Sequence, residues 1–183
     1  TGSFTHALRF RGDMTSGDTV TFIKGVVTDY VIIDQDSSST NFMIPDHVTV
    51  EVTNNATLTV LDILSNQGNL IIKSGASLIT YASGNFTGNN ILIERNTRYA
   101  DGKYSFVGSP IQANTETTVA DLGNHVYTYD EAMSADVNDL ARWIAQDPTT
   151  SLIPGAGYTQ ASQKLITFTG KPNTGIISYT GSY

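Results

Sequence analysis

Apolar positions in the first half of the chain fall two apart, and the same phrase is written more than once. Residues 48–60 read VTVEVTNNATLTV and residues 68–80 read GNLIIKSGASLIT. Offset by 20 positions, Val50 falls over Leu70, Val52 over Ile72, Ala56 over Ala76 and Leu58 over Leu78. A third, partial copy follows 21 positions on, where NILIER (90–95) repeats NLIIKS (69–74). Alternation at period two is the mark of a half-buried strand. Repetition at a fixed spacing points to strands laid in register on their predecessors. The pattern predicts one inward column of Val50, Leu70 and Ile91, and a second of Val52, Ile72 and Ile93. Ala56 and Ala76 then sit where the chain turns and little room remains. Glu51, Lys73 and Glu94 lie in or next to the same strands, and those that point outward would pair along the stack for under ~1 kcal/mol each.

Other β-branched or alternating runs are Thr19–Val27, Tyr30–Asp34, Thr57–Leu61, Ser77–Tyr81 and Ile91–Glu94, with turn clusters such as DQDSSST, TNN and SGNFTGNN between them. After Arg95 the polar stretch NTRYADGK (96–103) marks a boundary. Beyond it, short β phrases (Tyr104–Gly108, Val126–Tyr129, Ile153–Tyr158, Leu165–Thr169, Ile176–Tyr179) alternate with longer irregular stretches. One helix is predicted, over Ser134–Gln146, from Val137, Leu140, Ala141 and Ile144 at helical spacing with Pro148 closing its end. KPNTG (171–175) reads as a hairpin loop. The expected fold is all-β: a strand-rich unit of stacked strands over 1–98, solenoid-like or sandwich, followed by a compact β-sandwich-like domain over 99–183.

Composition narrows the function. Charged residues make up 15% of the 183 positions, the formal net charge is −7 and there is no cysteine. Polyanion binding needs a basic face, so nucleic acid is not an expected partner. Disulfides and thiolate metal sites are excluded. No run approaches the ~20 apolar residues of a membrane helix, so no membrane insertion is expected. The opening TGSFTH reads as a mature or excised start.

The order of GNLIIKSGASL (68–78), ILIERN (91–96), YSFVGSPI (104–111), VYTYDEA (126–132), Trp143, LIPGAGY (152–158) and ITFTGKPNTG (166–175) resembles a recurrent module of secreted cell-surface proteins of the Bacteroidota, many of them cargo of the type IX secretion system. The resemblance spans roughly residues 45–180, with Gly108 where the pattern usually has Ser. It implies a secreted protein displayed on the outer cell surface, with neighbouring modules of the same protein as partners. The expected role is structural or adhesive, spacing or displaying other domains.

Candidate chemistry is sparse. His6, His47 and His125 are far apart and no GxSxG elbow is present, so nucleophilic catalysis has no visible machinery. Two acidic pairs, Asp34 with Asp36 and Asp130 with Glu131, are the candidates for glycoside cleavage. Adjacent strand residues point to opposite faces, so the second pair would not converge, and no enzyme activity is expected. No cofactor is expected, with calcium as the exception to consider. Asp34, Asp36 and Ser38 alternate as oxygen donors would around Ca²⁺, but no glycine or closing glutamate completes a loop of EF-hand type. Tyr127, Tyr129, Trp143 and Tyr158 cluster in the second half and are the candidate ligand-binding residues. They would form either aromatic platforms for glycans or a small β core. Asp18-Thr19-Val20 matches the O-glycosylation pattern of Bacteroidota and makes Thr19 a modification candidate. Asn55-Ala56-Thr57 and Asn85-Phe86-Thr87 fit the N-glycosylation sequon. Arg11-Gly12-Asp13 reads as an accidental triplet.

Overall fold

A computed structural model describes residues 7–10, 19–21, 30–81, 86–97, 104–130 and 139–174. The chain is all-β and divides into two compact units between Arg95 and Asn96. Among the described residues no helix is long and apolar enough to cross a membrane.

The first unit contains β1 (Ala7–Phe10), β2 (Thr19–Thr21), β3 (Tyr30–Ile33), β4 (Ser37–Ile44), β5 (Thr49–Val52), β6 (Thr57–Asn66), β7 (Asn69–Ile72), β8 (Ser77–Thr80), β9 (Phe86–Gly88) and β10 (Ile91–Asn96). In one sheet β1, β3, β5, β7 and β10 follow one another, every pair parallel. In another, β2, β4, β6 and β8 do the same, with β9 also paired to β6. The register places Val31 on Val50 and Val50 on Leu70, and Ile33 on Val52, Val52 on Ile72 and Ile72 on Ile93. The echo in the sequence is therefore a physical stack. It begins one strand earlier than the repeated phrase, because Val31 and Ile33 continue both columns. All of these side chains, and Ile91, are at most 4% exposed. Burying each contributes about 1.5–3 kcal/mol, and parallel pairing leaves few backbone groups unpaired.

The repeat also rewrites its turn. Ala56 N–H donates to the Thr53 carbonyl and Ala76 N–H to that of Lys73, both at 2.9 Å. The residue before each alanine has positive φ, 61° at Asn55 and 94° at Gly75, a conformation that Asn and Gly adopt more readily than other residues. Ala56 and Ala76 are each 2% exposed and Ser77 N–H donates to the Ala56 carbonyl. Only a small side chain fits that corner.

Polar ties along the stack are Lys73 Nζ to Glu94 Oε1 at 2.8 Å and the Tyr30 hydroxyl to Glu51 Oε2 at 2.6 Å. The second tie, with burial and the Glu51 charge adding to it, pushes the Tyr30 phenol up to about 12. The ordinary value is near 10.

One sequence expectation fails here. DQDSSST was read as a turn, yet Ser37–Ile44 is an eight-residue strand. Ser37 and Ser39 are buried, paired to Leu58 and Val60. The ladders to β2 and β6 outweigh the low strand propensity of a Ser-rich run, since β-propensity is largely a matter of neighbours.

The second unit holds β11 (Ser105–Gly108), α1 (Val119–Leu122), β12 (Tyr127–Tyr129), β13 (Trp143–Ala145), β14 (Gly157–Gln160) and β15 (Leu165–Gly170). An antiparallel sheet runs in the order β11-β14-β12-β13. The buried residues of this unit include Ile111, Val119, Leu122, Leu152, Tyr158, Ile166 and Phe168. The helix predicted over Ser134–Gln146 is corrected over its described part: residues 139–142 form a 3-10 turn and Trp143–Ala145 is a strand paired to β12, while 134–138 lie outside the described residues. Trp143 and Ile144 favour strands, and an isolated short helix is marginal without a packed face. Among the described residues the α-helical turn lies instead at Val119–Leu122, where the Asp121 carboxylate accepts from Thr118 N–H at 2.7 Å. The strand expected over Ile153–Tyr158 starts only at Gly157, because Pro154-Gly155 makes a turn closed by Ala156 N–H to the Ile153 carbonyl. The strand expected over Ile176–Tyr179, after the predicted KPNTG loop, lies outside the described residues.

Candidate functional site

Residues directly opposite in an antiparallel pair share a face, as do residues two apart on one strand. Phe106 pairs with Thr159, Thr159 with Tyr127, and Tyr127 with Ala145. These four residues form one row on one face. Two residues along, Gly108 pairs with Gly157 and Tyr129 with Trp143 on the same face. Tyr104, two residues before Phe106, adds to the row's other side.

The side chains on this face enclose a trough of about 430 Å³ lined by Tyr104, Phe106, Tyr127, Trp143 and Thr159. One wall comes from β11 (Phe106) and the residue before it (Tyr104). The other comes from β12 and β13 (Tyr127, Trp143), and β14 lies between as the floor. Two strand spacings, about 9.5 Å, separate the Cα lines of β11 and β12. The rings lock one another edge to face: Tyr104 and Tyr127 at 6.2 Å and 71°, Tyr129 and Trp143 at 5.0 Å and 65°. That arrangement suits the quadrupoles of aromatic pairs. Phe106 is nevertheless 78% exposed and Tyr104 51%. These are large apolar surfaces held in water by the sheet that carries them.

The floor is low for a local reason. Among the described residues a Cβ on Gly157 would meet nothing within 4 Å, and one on Gly108 only the Ala156 carbonyl oxygen at 3.8 Å. Past Thr159 the floor carries no side chain. Among the described residues the lining carries no charge. The nearby Arg142 guanidinium donates to the Tyr129 hydroxyl at 3.3 Å, at the edge of this face.

Of the four aromatics singled out in the sequence, Tyr127, Tyr129 and Trp143 come together here. Tyr158 does not. It lies next to Thr159 on β14, so it points to the opposite face, where it is 2% exposed and its hydroxyl accepts from Ile153 N–H at 2.8 Å. Phe106 and Tyr104 were missed as ligand-binding candidates. Their signal was the spacing Tyr104-x-Phe106-x-Gly108 within a predicted strand, which puts two rings and a gap on one face.

The remaining candidates are dispersed. Asp36 Oδ1 accepts from Thr57 N–H at 2.8 Å, tying one turn to the strand 21 residues on. Asp34 is half-buried beside it, while Ser38 belongs to β4 rather than to a loop. Among the described residues no three His, Asp or Glu gather as a metal site. Thr19 pairs its backbone with Asn41, but its side chain lies outside the described residues. His47 Nδ1 is 3.3 Å from Asp46 Oδ1, and His125 is an exposed turn residue with φ 55°. Asp130 N–H donates to the Arg142 carbonyl. His6, Arg11-Gly12-Asp13, Asn85 and Glu131 lie outside the described residues.

The chain belongs to a family described as a domain of unknown function (DUF8693), whose model matches residues 14–183. No curated protein and no solved structure matches it.

Proposed function

We propose that this member of the DUF8693 family is an adhesive module of an exported cell-surface protein, attaching to carbohydrate through the trough of its second unit. The first unit serves as the spacer. In this reading its parallel strands are coils of a β-solenoid, and neighbouring modules of the same protein are its further partners. Coil-to-coil pairing satisfies backbone hydrogen bonds over a short repeat. That supports a role in spacing and display on the outer cell surface, the location that the motif order from residue 68 to residue 175 implies.

The observation that carries the binding reading is the outward placement of Phe106, Tyr104, Tyr127 and Trp143 around a trough whose described lining is uncharged. Packing alone does not require a 78%-exposed phenylalanine, whereas a sugar's C–H face does use such a ring. A pocket of a few hundred cubic ångströms, mostly apolar with a few polar groups, is the usual form of a small-ligand site. Among the described residues the lining offers neither carboxylate nor imidazole, and the proposal is of binding without a catalytic step. A broad glycan array tests it: the intact chain retains at least one class of glycan, and Phe106→Ala abolishes that signal while leaving the melting temperature unchanged. Silence of the unaltered chain across the array overturns the reading.

A further inference from the structure

We propose that the group seated in the trough is the ammonium of an amino sugar, a cationic carbohydrate with a free amine. This rests on the carbohydrate reading above and specifies its ligand. Three observations lead to it.

The first is how the rings meet. Tyr104 and Tyr127 come edge to face at 6.2 Å across β14, so the trough is interrupted there and suits a compact group rather than a chain running through it. Their planes stand 71° apart, and those of Tyr129 and Trp143 65° apart. The rings therefore turn their faces in more than one direction, as those of a cage do, and not in the single plane of a stacking platform. A neutral sugar lays one C–H face on one ring. An ammonium is attracted by the negative face of each ring whose centroid lies within about 6 Å, with Trp the best partner.

The second is the polar group between the walls. The Thr159 hydroxyl donates to the Tyr127 carbonyl at 3.4 Å, which leaves its oxygen to accept. An ammonium brings only donors. The floor and the ligand are then complementary in hydrogen bonding as well as in charge.

The third is the charge written in the sequence. The chain has 17 acidic residues against 10 basic ones. The segments that flank the ring-bearing strands in sequence, 98–103 and 130–142, carry Asp101, Asp130, Glu131, Asp136 and Asp139 against Arg98, Lys103 and Arg142. Of these bases, Arg142 donates to the Tyr129 hydroxyl and is not part of the trough's described lining. Both balances favour a cation and oppose an anionic sugar.

Isothermal titration of the intact chain tests this, at a pH below the pKa of the sugar amine. The probes are the β-1,4-linked dimers of glucosamine, N-acetylglucosamine and glucose, which differ at one substituent of each ring, and tetramethylammonium as a cation without a sugar. The expected result is that the glucosamine dimer binds at least tenfold tighter than the other two dimers. Phe106→Leu, which keeps an apolar side chain but removes a ring face, should weaken the glucosamine dimer at least threefold with an unchanged melting temperature. Glucosamine binding that Phe106→Leu leaves untouched overturns the proposal, because attraction to the net charge alone would behave that way. Equal or tighter binding of either neutral dimer overturns the ammonium while leaving carbohydrate binding intact. Binding of tetramethylammonium with no sugar bound, or no binding of any probe, overturns this proposal and the reading beneath it.

Discussion

In the unit that ends at Arg95, Val31, Val50, Leu70 and Ile91 stack inward and are at most 1% exposed, while in the second unit Phe106 and Tyr104 stand more than half in water. The first unit does expose some apolar side chains, Met43, Leu61, Ile63, Ile79 and Tyr81. They are mostly aliphatic, and Met43, Ile63 and Ile79 pair across strands with Ser65, Asn41 and Thr59. The second unit instead gathers rings on one face and keeps glycine between them. Scattered surface hydrophobes are normal, whereas a ring-lined depression marks a surface that has something to hold. One unit spends its large side chains on stacking, the other on a face.

The contrast predicts opposite responses to the same kind of truncation. Leu70→Ala, in the middle of a buried column, should lower stability by about 2–5 kcal/mol. Phe106→Ala should change it by under about 0.5 kcal/mol, as surface positions do. Urea unfolding of both variants checks this, and a large loss at Phe106 would mean that its ring is packed rather than presented.

Glycines sharpen the same point on a smaller scale. A Cβ at Gly68 would collide with the carbonyl oxygens of Pro45 and Val48, whereas at Gly157 it would meet no atom of the described residues. Gly68→Ala should therefore cost about 1–3 kcal/mol, and Gly157→Ala close to nothing, by thermal melting. Equal shifts would dissolve the distinction between a closed stack and an open trough.

The smallest effect concerns alkaline pH. Tyr30 donates to Glu51, which holds its phenol up near 12 in the folded chain, against about 10 unfolded. The contribution is complete below pH 10 and disappears as pH rises from 10 toward 12. Tyr30→Phe should flatten that part of the stability–pH curve, and an unchanged curve would mean the tie contributes nothing. Lys73, raised chiefly by its hydrogen bond to Glu94, weakens in the same direction.

The stacked unit was largely legible in the sequence because each coil repeats its alternation and its turn, so Val50 and Leu70 declared themselves neighbours. β4 escaped because buried serines look like loop serines until Leu58 and Val60 are beside them. In the second unit the antiparallel partners are far apart in sequence, 105–108 with 157–160, and no repeat announces them. Tyr127, Tyr129 and Trp143 could be grouped by type. Which face each ring takes depends on register, and that is why Tyr158 was included and Phe106 left out.

Trp143 is the chain's single tryptophan and lines the trough, so its fluorescence reports on the site without a label. Titrating the intact chain with the glycan retained on the array should shift or quench that emission saturably, with Phe106→Ala removing the response. Saturable glycan binding that leaves Trp143 emission untouched would place the ligand elsewhere and contradict the account.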